Sequence, residues 1–204
     1  MKATPVLKWL WINLKIFILF FSLVGLLVVL FPEAMLNLFG KWALVAQAFG
    51  AKSAEQFSSQ PEMFAHILSR NAVTLAIFVL LGLILQAPLA MPFMGAFYAL
   101  VTFLAPHTLG KPLGPADWLL IIAESFTLIL GASVSSGLAA ELYGVNTNLK
   151  SLVEYWKKSW TKLSWQLAPH WRTVIRGWRM TVAASFLALA ALSVFVAWFE
   201  TYGY

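Results

Sequence analysis

The sequence predicts an all-α, polytopic membrane protein: about five transmembrane helices in a single domain, residues 1–204, with amphipathic helices lying at the membrane surface. Three observations carry this. The chain is 61% hydrophobic and only 11% charged. A globular domain is nearer to about 45–50% apolar and about 25% charged, so a soluble fold of this length could not bury so much apolar surface. Several apolar runs approach the ~20 residues that a spanning helix needs. Tryptophans and basic residues gather between the runs, with five of the ten tryptophans and seven Lys/Arg in segment 142–179, where interface-seeking rings and headgroup-facing cations belong.

The first span is expected over about residues 11–31, with an uncharged stretch from Ile16 to Phe31 and Lys15 placed to snorkel toward the interface. Lys2 and Lys8 ahead of it resemble the start of a signal peptide. The nearest small-x-small site, Ala46-Gln47-Ala48, lies well beyond the apolar run, so an uncleaved first span is expected. An interfacial helix is expected over about 33–50, on Phe39, Trp42, Leu44, Val45 and Phe49.

Ser59-Gln60-Pro61-Glu62 has capping-box spacing and should start a helix that runs into the second span. Glu62, His66 and Arg70 would share one face of it, read as a solvated face. The 34 residues 72–105 would make a helix of about 51 Å, too long for a single crossing of a ~30 Å core. Their middle, Gln86-Ala87-Pro88-Leu89-Ala90-Met91-Pro92, reads as a break. Either two short helices cross, at about 71–87 and 89–105, or they dip in as a re-entrant pair. Positive charge on the N-terminus and on segment 142–179 requires an even number of crossings between them. Five crossings with the N-terminus cytoplasmic and the C-terminus outside is the preferred count, in a cell membrane, most simply a prokaryotic cytoplasmic membrane.

The remaining spans are expected over about 118–140 and 180–199, and the segment between them, 146–178, as amphipathic surface helix. Leu149, Leu152, Val153, Trp156, Trp160, Leu163 and Leu167 recur at helical spacing, opposite Lys150, Lys157, Lys158 and Lys162. After Pro169, Trp171, Val174, Ile175 and Trp178 oppose Arg172, Arg176 and Arg179. The pattern fits a helix lying flat on anionic lipid, its tryptophans toward the apolar side. That orientation argues against nucleic acid, and a partner protein is the competing use of the surface.

Glu124 is the one acid expected at membrane depth, about 9 Å beyond Trp118. Such a carboxylate costs several kcal/mol unless paired, hydrated or protonated. It reads either as an ion or proton ligand or as a hydrogen-bonded pin between helices. Asn71, Thr74, Gln86, Thr102 and Ser125, or a group on another subunit, are the candidate partners, with Asn71 and Gln86 taken into the intramembrane polar site. The same helix carries small residues at four-residue spacing on two faces, Gly131, Ser135 and Ala139, and Ala132, Ser136 and Ala140, with Gly137 among them. Small-xxx-small rows let backbones approach closely, so this helix is expected at the centre.

No cysteine is present, and His66, His107 and His170 lie in separate segments without metal-ligand spacing. No metal and no cofactor are expected, with axial ligation of haem or chlorophyll by a single histidine left open. No nucleophile–base arrangement, HExxH or phosphate-binding glycine loop occurs, so no catalytic residue is expected.

Phe64-x-x-Ile67-Leu68-x-x-Asn71 with Leu75 and Leu81-Gly82, then Met94-Gly95 with Phe97, Pro106-His107, and Glu124 followed by Gly131 and Gly137, resembles the stage II sporulation protein M (SpoIIM) family over about residues 60–142. The chain departs from that pattern in having one asparagine at position 71 rather than a pair, methionine before Gly95, a longer His–Glu spacing and serines among the later glycines. The resemblance implies a five-span, non-enzymatic membrane component acting in a multiprotein complex. Residues and resemblance together point to a non-catalytic subunit that scaffolds or assembles a membrane complex. The alternative is a channel or permease-like component with Glu124 on an ion or proton path.

Overall fold

A computed structural model describes residues 3–39, 57–109, 113–162 and 169–203. The described residues are all-helical: α1 (Ala3–Leu30), α2 (residues 32–39), α3 (Gln60–Leu83), α4 (Ala87–Leu109), α5 (Pro115–Tyr143), α6 (Leu149–Lys162) and α7 (Trp171–Tyr202). Five of these, α1, α3, α4, α5 and α7, are long and apolar enough to cross a membrane. The chain is a membrane protein with both halves of the 72–105 stretch available as spans. α3 is longer than 71–87 because it begins at Gln60, giving a helix of about 36 Å. Of the interfacial helix expected over 33–50, residues 32–39 are helical; Trp42, Leu44, Val45 and Phe49 lie outside the described residues.

Local sequence sets the helix ends. Ser59 is the N-cap of α3, its Oγ accepting from the Glu62 N–H at 3.4 Å. The return half of the expected capping box goes one residue upstream, since the Glu62 carboxylate accepts from the Ser58 N–H at 3.0 Å. α5 begins with Pro115 behind Gly114, whose N–H donates to Asp117 Oδ2 at 2.7 Å. It ends in a Schellman motif: Gly144 sits at φ 66°, and the Val145 N–H returns to the Ala140 carbonyl at 2.8 Å.

The break between α3 and α4 is the same motif with an unusual residue. Leu85 takes the left-handed position at φ 56°, its N–H donating to the Gly82 carbonyl, while the Gln86 N–H returns to the Leu81 carbonyl at 2.7 Å. A leucine pays steric strain there that glycine would not. Its fully buried side chain holds it in place. Pro88 then falls in the first turn of α4, where its missing N–H costs nothing.

α5 is the central helix, touching α1, α3, α4 and α7, as the small-residue rows led us to expect. α1 and α4 form the closest pair, with Gly95 meeting the backbone of α1 at Phe17. Phe17, Met91, Met94, Tyr98, Leu128 and Ile129 make the largest buried cluster. Chain direction divides the bundle into two ends: the starts of α3 and α5 and the finish of α7 lie at one, with Arg70 and Glu200; the α3–α4 turn and α6 lie at the other, with Leu85.

Candidate functional site

The intramembrane acid has a defined surrounding. Glu124 on α5 accepts a hydrogen bond from the Tyr98 hydroxyl on α4. Glu124 also lines a small pocket between α3, α5 and α7, together with Asn71, Thr74, Thr127, Leu128, Ser193 and Val196. Asn71 is 8% exposed and its Nδ2 has no hydrogen-bond partner among the described residues. Thr74 and Thr127 donate their hydroxyl protons to carbonyls of their own helices, Arg70 at 3.0 Å and Ala123 at 2.7 Å. Next to this pocket, Arg70 pairs with Glu200 across 3.3 Å. Among the described residues, Arg70 and Glu200 are charged groups that act on Glu124.

The structure therefore brings Asn71, Thr74 and Glu124 together and separates Gln86 from them. Gln86 follows the end of α3, whereas Asn71 lies about 18 Å back along that helix. Gln86 belongs to the α3–α4 turn, where its backbone closes the Schellman motif. Thr102 and Ser125 bond to their own helices, to the carbonyls of Tyr98 and Ile121. Tyr98, Arg70, Glu200 and Ser193 were not foreseen. Arg70 looked like part of a solvated face with Glu62 and His66, and Tyr98 and Glu200 carry no signal in sequence that ties them to position 124. His66 instead packs tilted against Phe57, ring centroids 5.2 Å apart, with Nε2 buried and without a hydrogen-bond partner among the described residues. Among the described residues no group of three His, Cys, Asp or Glu could hold a metal.

The small residues of α5 pack inside the chain. A Cβ on Gly131 would meet Leu75 at 2.6 Å, and one on Gly137 would meet Trp178 at 2.9 Å. Ser135 faces Gly82, so the small residue of the α3–α5 contact is shared between the two helices. Ala139 joins Ala140, Trp9, Leu85 and Leu152 in a second buried cluster. A polar contact also missed from sequence ties α1 to α5: Asn13 Nδ2 donates to Ser133 Oγ at 3.0 Å, both fully buried.

The amphipathic helix α6 is present, with Lys150, Glu154, Lys157 and Lys158 exposed. Its apolar face is turned to protein rather than lipid. Leu152, Tyr155 and Trp156 pack on Trp9, Leu85 and Ala140, and the Trp156 indole N–H donates to the Leu85 carbonyl at 2.8 Å. The side chains of Trp160 and Lys162, and all of Leu163 and Leu167, lie outside the described residues. The second amphipathic turn is the start of α7, where Arg172, Arg176 and Arg179 are exposed. Trp178 is 1% exposed, and its indole N–H donates to Glu141 at 3.1 Å.

Both outer helices present large apolar side chains outward. The exposed side of α1 is bulky, with Leu19, Leu23, Leu26 and Leu30. The exposed side of α7 carries Ala184, Ala188 and Ala191 at helical spacing, interleaved with the exposed Phe186 and Leu187. No protein-family model, no curated protein and no solved structure matches this chain.

Proposed function

We propose that the protein is a non-catalytic subunit of a membrane complex, docking a transmembrane helix of a partner subunit against the outward face of α7. The observation that carries this reading is the exposed apolar side of that helix, where Ala184, Ala188 and Ala191 leave notches between the exposed Phe186 and Leu187. Apolar side chains gain little by leaving lipid, so close approach of backbones over small residues is what favours helix association there. The rows on α5 do not contribute, since they are consumed within the chain.

The membrane is a cell membrane, most simply the prokaryotic cytoplasmic membrane, with the Leu85 end toward the cytoplasm. Lys150, Lys157, Lys158, Arg172, Arg176 and Arg179 are exposed at that end and meet anionic headgroups. The SpoIIM resemblance stands as part of this proposal: Asn71 and Glu124, two residues of the resemblance, line one pocket, and Gly82, Gly95, Gly131 and Gly137 sit at helix contacts. A channel or permease-like role is the second reading, favoured by the Asn71–Glu124 pocket.

Single-cysteine cross-linking in native membranes tests the docking face, since the chain has no cysteine of its own. Ala188→Cys should cross-link to a second protein, while Leu23→Cys on α1 should not. Equal cross-linking from both positions, or none from position 188, overturns the assignment.

A further inference from the structure

The pocket beside Glu124 combines features that specify an occupant. Its described lining is polar on three helices: Asn71 and Thr74 from α3, Glu124 and Thr127 from α5, Ser193 from α7. It has room for about one water molecule. Asn71 Nδ2 is buried and lacks an acceptor, which is costly away from water. The Tyr98 hydroxyl already donates to Glu124. Charge counting adds a constraint. Around the pocket stand two carboxylates, Glu124 and Glu200, and one guanidinium, Arg70, which is paired with Glu200. One arginine neutralises one carboxylate, so a second positive charge is needed to balance the group.

We propose that this pocket is a proton-binding site: Glu124 takes up and releases one proton, and a single water molecule lies between it and Asn71. The reaction is a simple equilibrium in which the carboxylate and a hydronium ion give the carboxylic acid and water. A proton fits better than a metal cation because the groups around Glu124 include the Asn71 amide N–H, unpartnered among the described residues, the Tyr98 hydroxyl that donates to it, and the Arg70 guanidinium, all of which present positive ends. They repel a metal ion and suit a neutral acid with an accepting water oxygen. The elements packed around Glu124 face it with Tyr98 from α4, Arg70 from α3 and Glu200 from α7. α1 packs Phe17 on Tyr98; of its described titratable groups, Lys15, two residues before Phe17, is exposed and lies over the Trp11 ring, and Lys8 lies further toward the start of the helix. The Arg70–Glu200 pair beside the pocket is partly exposed, at 44% and 26%, and Arg70 lies one turn before Thr74. This site is independent of the docking face on α7.

Infrared difference spectroscopy of the full chain in liposomes, titrated in pH, tests the proposal. A carboxylic-acid carbonyl band should appear and vanish with pH in the unaltered chain, be lost in Glu124→Gln, and shift in Tyr98→Phe, where a hydrogen bond to the same carboxyl is removed. Absence of the band in the unaltered chain, or its persistence in Glu124→Gln, overturns the proposal. Loss of the band on adding sodium chloride at fixed pH, but not on adding choline chloride, overturns it in favour of a metal-cation site.

Discussion

The Trp156 indole N–H donates to the Leu85 carbonyl across 2.8 Å, joining the surface helix α6 to the turn between two spanning helices. Leu85 occupies a left-handed conformation at φ 56°, and Trp156 is one of the groups that cover it. Trp156→Phe keeps most of the packing and deletes the hydrogen bond. A loss of about 0.5–1.5 kcal/mol is expected, with an acceptor left unsatisfied. Thermal unfolding in detergent reads it. An unchanged midpoint means that α6 does not brace the turn.

The α3–α5 contact depends on the absence of a side chain at position 82. A Cβ there would collide with Ser135 Oγ and lie 2.6 Å from the Ala132 carbonyl oxygen. Gly82→Ala is expected to cost about 1–3 kcal/mol through forced separation of the helices. Ser135→Ala should not rescue it, because the backbone carbonyl remains. Full rescue by Ser135→Ala would show that the hydroxyl alone sets the spacing.

Asn13 and Ser133 form a chain of hydrogen bonds, since Ser133 Oγ in turn donates to the Ile129 carbonyl. A double-mutant cycle of Asn13→Ala and Ser133→Ala should give a coupling of about 0.6 kcal/mol, the average for hydrogen bonds between helices in a membrane. Purely additive effects would remove this contact as a tie between α1 and α5.

Crossing number and orientation are open to labelling, helped by the absence of cysteine. Cysteines placed singly at Ser58 and Gly203 should react with an impermeant maleimide from outside intact cells. One placed at Glu154 should react only after permeabilisation. Labelling of Ser58 and Glu154 from the same side would refute the five-crossing topology.

The fold was legible in the chain because its signals are local or additive. Apolar runs, Ser59 ahead of Glu62, and the prolines between Gln86 and Pro92 act within one or two turns, and the small residues of α5 mark a crowded helix whatever its neighbours are. Half of the polar site was legible for the same reason, since an acid in an apolar run is conspicuous. Its partners were not. Tyr98 and Glu200 come to Glu124 from α4 and α7, and only the packing of four helices puts them there. Gln86 misled because a polar residue near membrane depth looks like a site, whereas its backbone is what the turn uses. Trp156 and Trp178 misled similarly: tryptophan suits an interface with lipid and an interface with protein equally well.

The most direct test of the central claim is native mass spectrometry of the chain extracted in mild detergent, with Ala188→Leu alongside it. The unaltered chain should retain a second membrane protein at fixed stoichiometry, and Ala188→Leu should lose it while unfolding at the same temperature. A chain that emerges alone, or only with copies of itself, contradicts the reading of this protein as a subunit of a larger membrane complex.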